Sequence, residues 1–228
     1  MDRGATGRVK LADFHHAALN GEWRFGESAD YLRQLGALDE SSALLGPRVI
    51  IPNYLQSASN CIVTQEHYRV CCKNECEDYL SEIEAAVGAP TATPELVLAV
   101  VGNITTSLDD ECAKIPASLM TQLFDIANSH DGSISLHGRL FAQWLHYVFP
   151  QDCPFPHKSG TTVAMSPTEF GQEFMATKEE MNMSASQTTA AQARTSPAEE
   201  EIVVPEDDWM TQWNHEEELL TEHVWHSM

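Results

Sequence analysis

Cysteine and histidine are the residues of this chain best suited to chemistry. The six cysteines are Cys61, Cys71, Cys72, Cys76, Cys112 and Cys153, an even number in a chain longer than the usual disulfide-rich scaffold. Three readings compete. The first is a set of disulfides that tie a long helix to its neighbours. The second is free, buried cysteines acting as small apolar residues. The third is a metal site. His67-x3-Cys71-Cys72-x3-Cys76 sets ligand types one helical turn apart, and Cys153-x3-His157 offers a second pair. Thiolate and imidazole in tetrahedral array suit zinc. No CxxC knuckle is present, and Pro154 and Pro156 restrict the Cys153/His157 pair, so zinc held here would be structural. Disulfides are the leading reading.

Histidine offers less. His137, His146 and His157 bracket a helix around Trp144, and each imidazole titrates near neutrality as a general base does. The ordinary reading is a surface or hydrogen-bonded histidine, and His15-His16 is expected to be solvated. No Ser/His/Asp order, nucleophile elbow, HExxH or glycine-rich phosphate loop occurs, which disfavours an enzyme. Asp131-Gly132-Ser133-Ile134-Ser135 resembles the middle of an EF-hand loop. Ala127 and Gly138 would then take the first and twelfth positions, where calcium needs Asp and Glu, so the segment reads as a turn.

The elements that must position these groups read mostly as helix. Ser28 caps a short helix through Tyr31, Leu32 and Leu35. RVIIPNYL (48–55) is a brief apolar run, a lone strand or, because of Pro52, an extended connector. A long helix is expected from about Glu66 to Val87, with Tyr68, Cys72, Cys76, Tyr79, Leu80, Ile83 and Val87 on one face and Gly88 ending it. Thr93-Pro94 starts another, although LVLAVVGNI (96–104) also fits a buried strand. Pro116 opens a helix with Leu119, Leu123, Phe124 and Ala127 inward, and a last one runs from about Leu136 to Val148.

CCKNECEDYLSEIE followed by LHGRLFAQWLHYVFPQDCPFPH is similar to a family of proteins from unicellular algae such as dinoflagellates, over roughly Ile51 to Ser159 and a Trp/Glu-rich end. The resemblance implies no activity and supplies no catalytic residue. It implies that the cysteine-bearing helix and the CPFPH segment belong to one folded unit.

Charge divides the chain. Its 228 residues hold 34 acids against 13 Lys+Arg, a net of −21. A surface of this sign does not hold phosphate non-specifically, so no nucleic-acid partner is expected. No run of 18 apolar residues exists, and no membrane span is expected. Residues 1–26 read as a flexible arm, 27–158 as the cysteine-bearing helical domain, 159–205 as a low-complexity acidic linker, and 206–228 as an acidic Trp-containing helix. In that helix Trp209, Trp213, Leu220 and Val224 share one face, and 202–228 holds seven acids with no Lys or Arg. Such a segment docks into a basic or apolar groove of a partner protein, or packs back on its own domain. Asn103-Ile-Thr105 and Asn182-Met-Ser184 are acceptor sequons, which with even cysteines favour a secretory or lumenal route. No apolar leader is visible at the start, so that route requires an upstream segment; otherwise the chain is cytoplasmic. The sequence thus predicts a mainly α protein: an irregular helical bundle, a disordered linker and a C-terminal amphipathic helix. The expected function is a non-enzymatic interaction or structural module, with a zinc- or thiol-dependent enzyme or redox protein as the alternative.

Overall fold

The computed structural model describes residues 2, 5–19, 25–57, 60–63, 69–105, 113–163, 165–184 and 210–218. The protein is mainly helical with small sheets, and it divides into two compact units.

The first unit comprises Met1–Lys73 and Ser159–Trp213. Its sheet has three very short strands, β1 (Arg8–Lys10), β2 (Leu38–Asp39) and β3 (Arg48–Ile50), in the order β1-β3-β2 and antiparallel throughout. Val49 faces Val9 on one side and Leu38 on the other. Against it pack α1 (Leu11–Leu19), α2 (Ala29–Gln34) and α3 (Ile51–Leu55). Val9, Leu11, Phe14, Leu32, Ala37, Leu38, Val49 and Tyr54 form the core. Each fully buried side chain of Leu or Phe size contributes roughly 1.5–3 kcal/mol. Ser28 caps α2 as the sequence predicts, accepting from the Tyr31 N–H at 3.2 Å. RVIIPNYL divides into strand β3 and helix α3, because Pro52 falls in the first helical turn, where its missing N–H costs nothing.

Two expectations are corrected in this unit. The flexible arm over 1–26 carries β1 and α1, with Val9, Leu11 and Phe14 in the core. The linker over 159–205 is folded as far as 184. Tyr31 donates to the Met165 carbonyl at 2.8 Å, and its ring packs on Phe170 at 4.9 Å. Helix α8 (Pro167–Phe170) has a capping box made by Ser166 and Glu169. Glu27 bridges Met175, and a helical stretch over 178–184 buries Met181. Aromatic and methionine residues spaced through 165–181 give this stretch the apolar contacts that a linker lacks. The remainder of that predicted linker lies outside the described residues.

The second unit comprises Asn74–Lys158 and Asn214–Met228. Helices α4 (Glu75–Val87), α5 (Pro94–Val101), α6 (Ala117–Asn128) and α7 (Arg139–Val148) pack each on the next, and β6 (Thr91–Ala92) pairs antiparallel with β7 (Ile134–Ser135). The undivided domain expected over 27–158 is therefore split near residue 73. Helix α4 starts at Glu75 and not at Glu66. Residues 62–63 and 69–70 form a hairpin, β4 (Ile62–Val63) with β5 (Arg69–Val70), and a disulfide ties Cys61 to Cys71. That pairing takes the chain out of helix before Asn74. Gly88, at φ 65°, ends α4 in the left-handed conformation that glycine adopts without strain. Thr93 caps α5 and Pro94 is its first residue, so LVLAVV is helix and not strand. On α6 Leu119, Leu123 and Ala127 are buried as predicted, whereas Phe124 is exposed and Ile126 takes the inward place. Helix α7 is buried nearly all round, with the Trp144 indole N–H donating to the Leu119 carbonyl at 2.8 Å. Among the described residues no helix is long and apolar enough to cross a membrane.

Candidate functional site

The cysteines resolve first. Cys61 bonds Cys71 in the first unit, with Cα atoms 4.2 Å apart, and Cys76 bonds Cys153 in the second, with Cα atoms 4.7 Å apart. Cys76 lies in the first turn of α4, and Cys153 is fully buried just beyond α7. Cys72 is a free, exposed thiol, while Cys112 lies outside the described residues. The zinc reading needed thiolates from Cys71, Cys72, Cys76 and Cys153. Three of those sulfurs are oxidised in pairs, and a disulfide sulfur is no thiolate ligand. His67 lies outside the described residues, and the His157 ring sits against Phe155 at 5.2 Å. Among the described residues no group of three or more His, Cys, Asp or Glu is placed to hold a metal ion.

The histidines take structural places. His146 is fully buried with Nδ1 2.7 Å from the Cys153 carbonyl. His137 lies 3.2 Å from Glu84 at the surface. His15, expected in solvent, is fully buried because α1 belongs to the core, and its Nε2 lies 2.9 Å from the Glu27 carbonyl.

A polar cluster supports the sheet of the first unit. Asp39 is buried between Arg8 and Arg48, at 3.0 and 2.7 Å, and accepts from the Ser41 N–H and hydroxyl. Burial pushes its carboxyl pKa up, but the Ser41 hydrogen bonds and the charges of Arg48 and Arg8 outweigh it and hold Asp39 below the usual range. Gln212 accepts from Arg8 at 3.1 Å, and the Thr211 and Ser41 hydroxyls lie 2.6 Å apart. At its near end, then, the C-terminal segment is fastened to the first unit's own polar cluster.

The most developed recognition geometry lies in the second unit, at the start of α7. The first amides of a helix have no acceptor within it, and the helix dipole favours negative charge there. Gly138, at the N-cap position, has no side chain to help. Glu217 supplies the missing group from 77 positions away: its Oε1 accepts from the Leu140 N–H at 3.0 Å and also from the Glu218 N–H at 3.0 Å. The Arg139 N–H donates to the Glu218 carbonyl at 3.0 Å. One turn on, the fully buried Gln143 reads the backbone of Asn214 in both directions. Its Nε2 donates to the Asn214 carbonyl and its Oε1 accepts from the Asn214 N–H, each at 3.2 Å. Arg139 orients that amide by donating from Nη1 to Oε1 at 3.1 Å. Lys158 pairs with Glu216, and His130 Nε2 stands 3.8 Å from Glu217.

This geometry corrects the predicted tail. Over 210–218 the chain forms a turn and then irregular coil, not an amphipathic helix, because its backbone groups are engaged by Gln143 and by the α7 amides. Trp213 is half-buried, and Trp209, Leu220 and Val224 lie outside the described residues. Arg139 and Gln143 escaped the sequence reading. Their signal was there: two polar residues at i,i+4 on a helix whose neighbours Leu140, Phe141, Trp144 and Leu145 are all apolar. Such a pair is buried only if it has something to bind.

No family model, no curated protein and no solved structure matches the chain.

Proposed function

We propose that the protein is a non-enzymatic interaction module: a disulfide-braced helical core, read as an irregular bundle, that carries an acidic docking tail. The observation that carries this reading is the engagement of residues 214–218 by dedicated polar groups. The segment's backbone, and not only its charge, is recognised. A linker passing over a surface has no need of a fully buried glutamine. In this proposal the tail leaves its own chain to meet a partner with a basic or apolar groove. Its contacts there are Trp209, Trp213, Leu220 and Val224. Two disulfides support an oxidising compartment, hence a secretory or lumenal route. Asn103, an exposed sequon residue in the turn after α5, is accessible to modification on that route.

The test is affinity capture with the full chain, competed by a peptide of residues 206–228 and repeated with Trp213→Ala. A hot-spot tryptophan is worth 2 kcal/mol or more, so recovery of the competed partner is expected to fall about thirtyfold. The core's melting temperature is expected to hold. An equal loss of melting temperature, with no competed partner, would make Trp213 a core residue and end the proposal.

A further inference from the structure

We infer that the amino-terminal site of α7 is a receptor for acidic peptides of a partner protein, and that residues 214–218 are its resident ligand in cis. This goes beyond the tail proposal, since it concerns the surface that the tail vacates.

Four observations converge. The helix end is one: its Leu140 amide takes a carboxylate oxygen and its Arg139 amide a peptide carbonyl. The second is Gln143, with no exposed surface, which makes the paired N–H and C=O contacts that recognise main chain irrespective of side chain. The third is Arg139, 6% exposed, whose Nε has no hydrogen-bond partner. Its guanidinium serves the site by orienting Gln143 through Nη1. The fourth is charge. Residues 74–158 contain three Lys/Arg, and two of them, Arg139 and Lys158, stand at this site although acids predominate in that stretch.

The contacts define the ligand. The carboxylate that meets α7 comes three residues after the residue whose backbone Gln143 reads. An acidic residue precedes that carboxylate, opposite Lys158. Asn214 Oδ1 accepts from the Glu216 N–H at 2.8 Å, closing a turn that Asp also makes. The preferred ligand is therefore Asn/Asp-x-acid-Glu with that turn at its first residue. A Cβ at Gly138 would stand 2.8 Å from Glu217 Oε2, so the end of that side chain must shift to admit alanine, which the φ of −81° accepts without strain.

The probe is a fluorescein-labelled peptide of residues 212–220 (QWNHEEELL), titrated by anisotropy into three full-length chains: wild type, Glu217→Ala, and Gly138→Ala with Glu217→Ala. In the wild type the tethered copy competes at an effective concentration of order millimolar. Binding to Glu217→Ala is expected to be at least about tenfold tighter than to wild type, and to weaken on adding Gly138→Ala. The peptide carrying Asn214→Pro, which has no N–H for Gln143, is expected to bind more weakly too. Equal binding to all three chains would overturn the inference, as would no binding to a Glu217→Ala chain with native circular dichroism. On the unaltered chain, excess peptide is expected to shift the amide resonances of residues 214–218 toward those of the free segment. No shift at saturating peptide would also overturn it. A one-to-one complex between wild-type and Glu217→Ala chains would give the site to a second copy and overturn the assignment to a separate partner. If the peptide fails here while the competed partner is still captured through Trp213, the receptor inference falls and the tail proposal stands.

Discussion

Removing the Cys76–Cys153 bridge is expected to cost the second unit far more than removing Cys61–Cys71 costs the first. Cys76 and Cys153 are 77 positions apart, and the loop they close contains nearly all of the segment 74–158. Chain-entropy arithmetic for that loop gives about 4.5 kcal/mol. For Cys61–Cys71, 10 positions apart, the same arithmetic gives about 2.7 kcal/mol. At roughly 4–8 °C per kcal/mol for a domain of this size, the first figure is a drop of about 20–35 °C. The assay is scanning calorimetry of Cys76→Ala with Cys153→Ala, and of Cys61→Ala with Cys71→Ala, beside the wild type. Alanine avoids placing a hydroxyl at the fully buried Cys153 site. Losses of equal size, or a larger loss for the shorter loop, would refute the claim that the 76–153 bridge is the main brace of its unit.

Thiol labelling under native conditions is expected to reach Cys72 and to spare Cys61, Cys71, Cys76 and Cys153 until reduction; chelators are expected to leave the melting temperature unchanged, and release of zinc with a drop in melting temperature would restore the metal reading. Asp39 has its folded pKa below its unfolded value, so its contribution is present above the unfolded carboxyl range near pH 4 and is lost as pH falls through the folded value. Asp39→Asn is expected to cost about 3–5 kcal/mol at neutral pH by leaving Arg8 and Arg48 without their carboxylate, and to flatten the acid limb of the stability profile in urea titrations; an unchanged acid limb would contradict the assignment. Trp144→Phe removes the hydrogen bond to the Leu119 carbonyl and is expected to cost about 1–3 kcal/mol in chemical denaturation, with a loss below 0.5 kcal/mol going against it.

Local signals in the sequence were legible where a single turn decides the structure. Ser28, Thr93-Pro94 and Gly88 carry their helix ends in their own chemistry, and the structure follows them. The three-residue strands carry no period to detect, and the sheet exists because Val49 meets Val9 and Leu38 from distant parts of the chain. The same non-local cause ended the helix expected from Glu66. Tyr68, Cys72 and Cys76 keep helical spacing, but pairing of 62–63 with 69–70 and the Cys61–Cys71 bond override it. At the tail, Trp213 and the glutamates follow a helical pattern, yet Gln143 holds the backbone of 214 and Glu217 is bound to another helix. Buried polar residues on α7 were the signal for that outcome, and reading Arg139 and Gln143 as ligands-in-waiting would have found the site without its occupant.

The most direct test of the account is amide hydrogen exchange at Arg139 and Leu140 in the full chain, wild type against Glu217→Ala. These two N–H groups find their acceptors in Glu218 and Glu217, not within α7. The account predicts both amides protected in the wild type, and both exchanging at least about tenfold faster in the variant, while amides in the middle of α7 keep their rates. Equal exchange at Arg139 and Leu140 in the two chains would mean that residues 214–218 are not bound there, and would contradict the central claim.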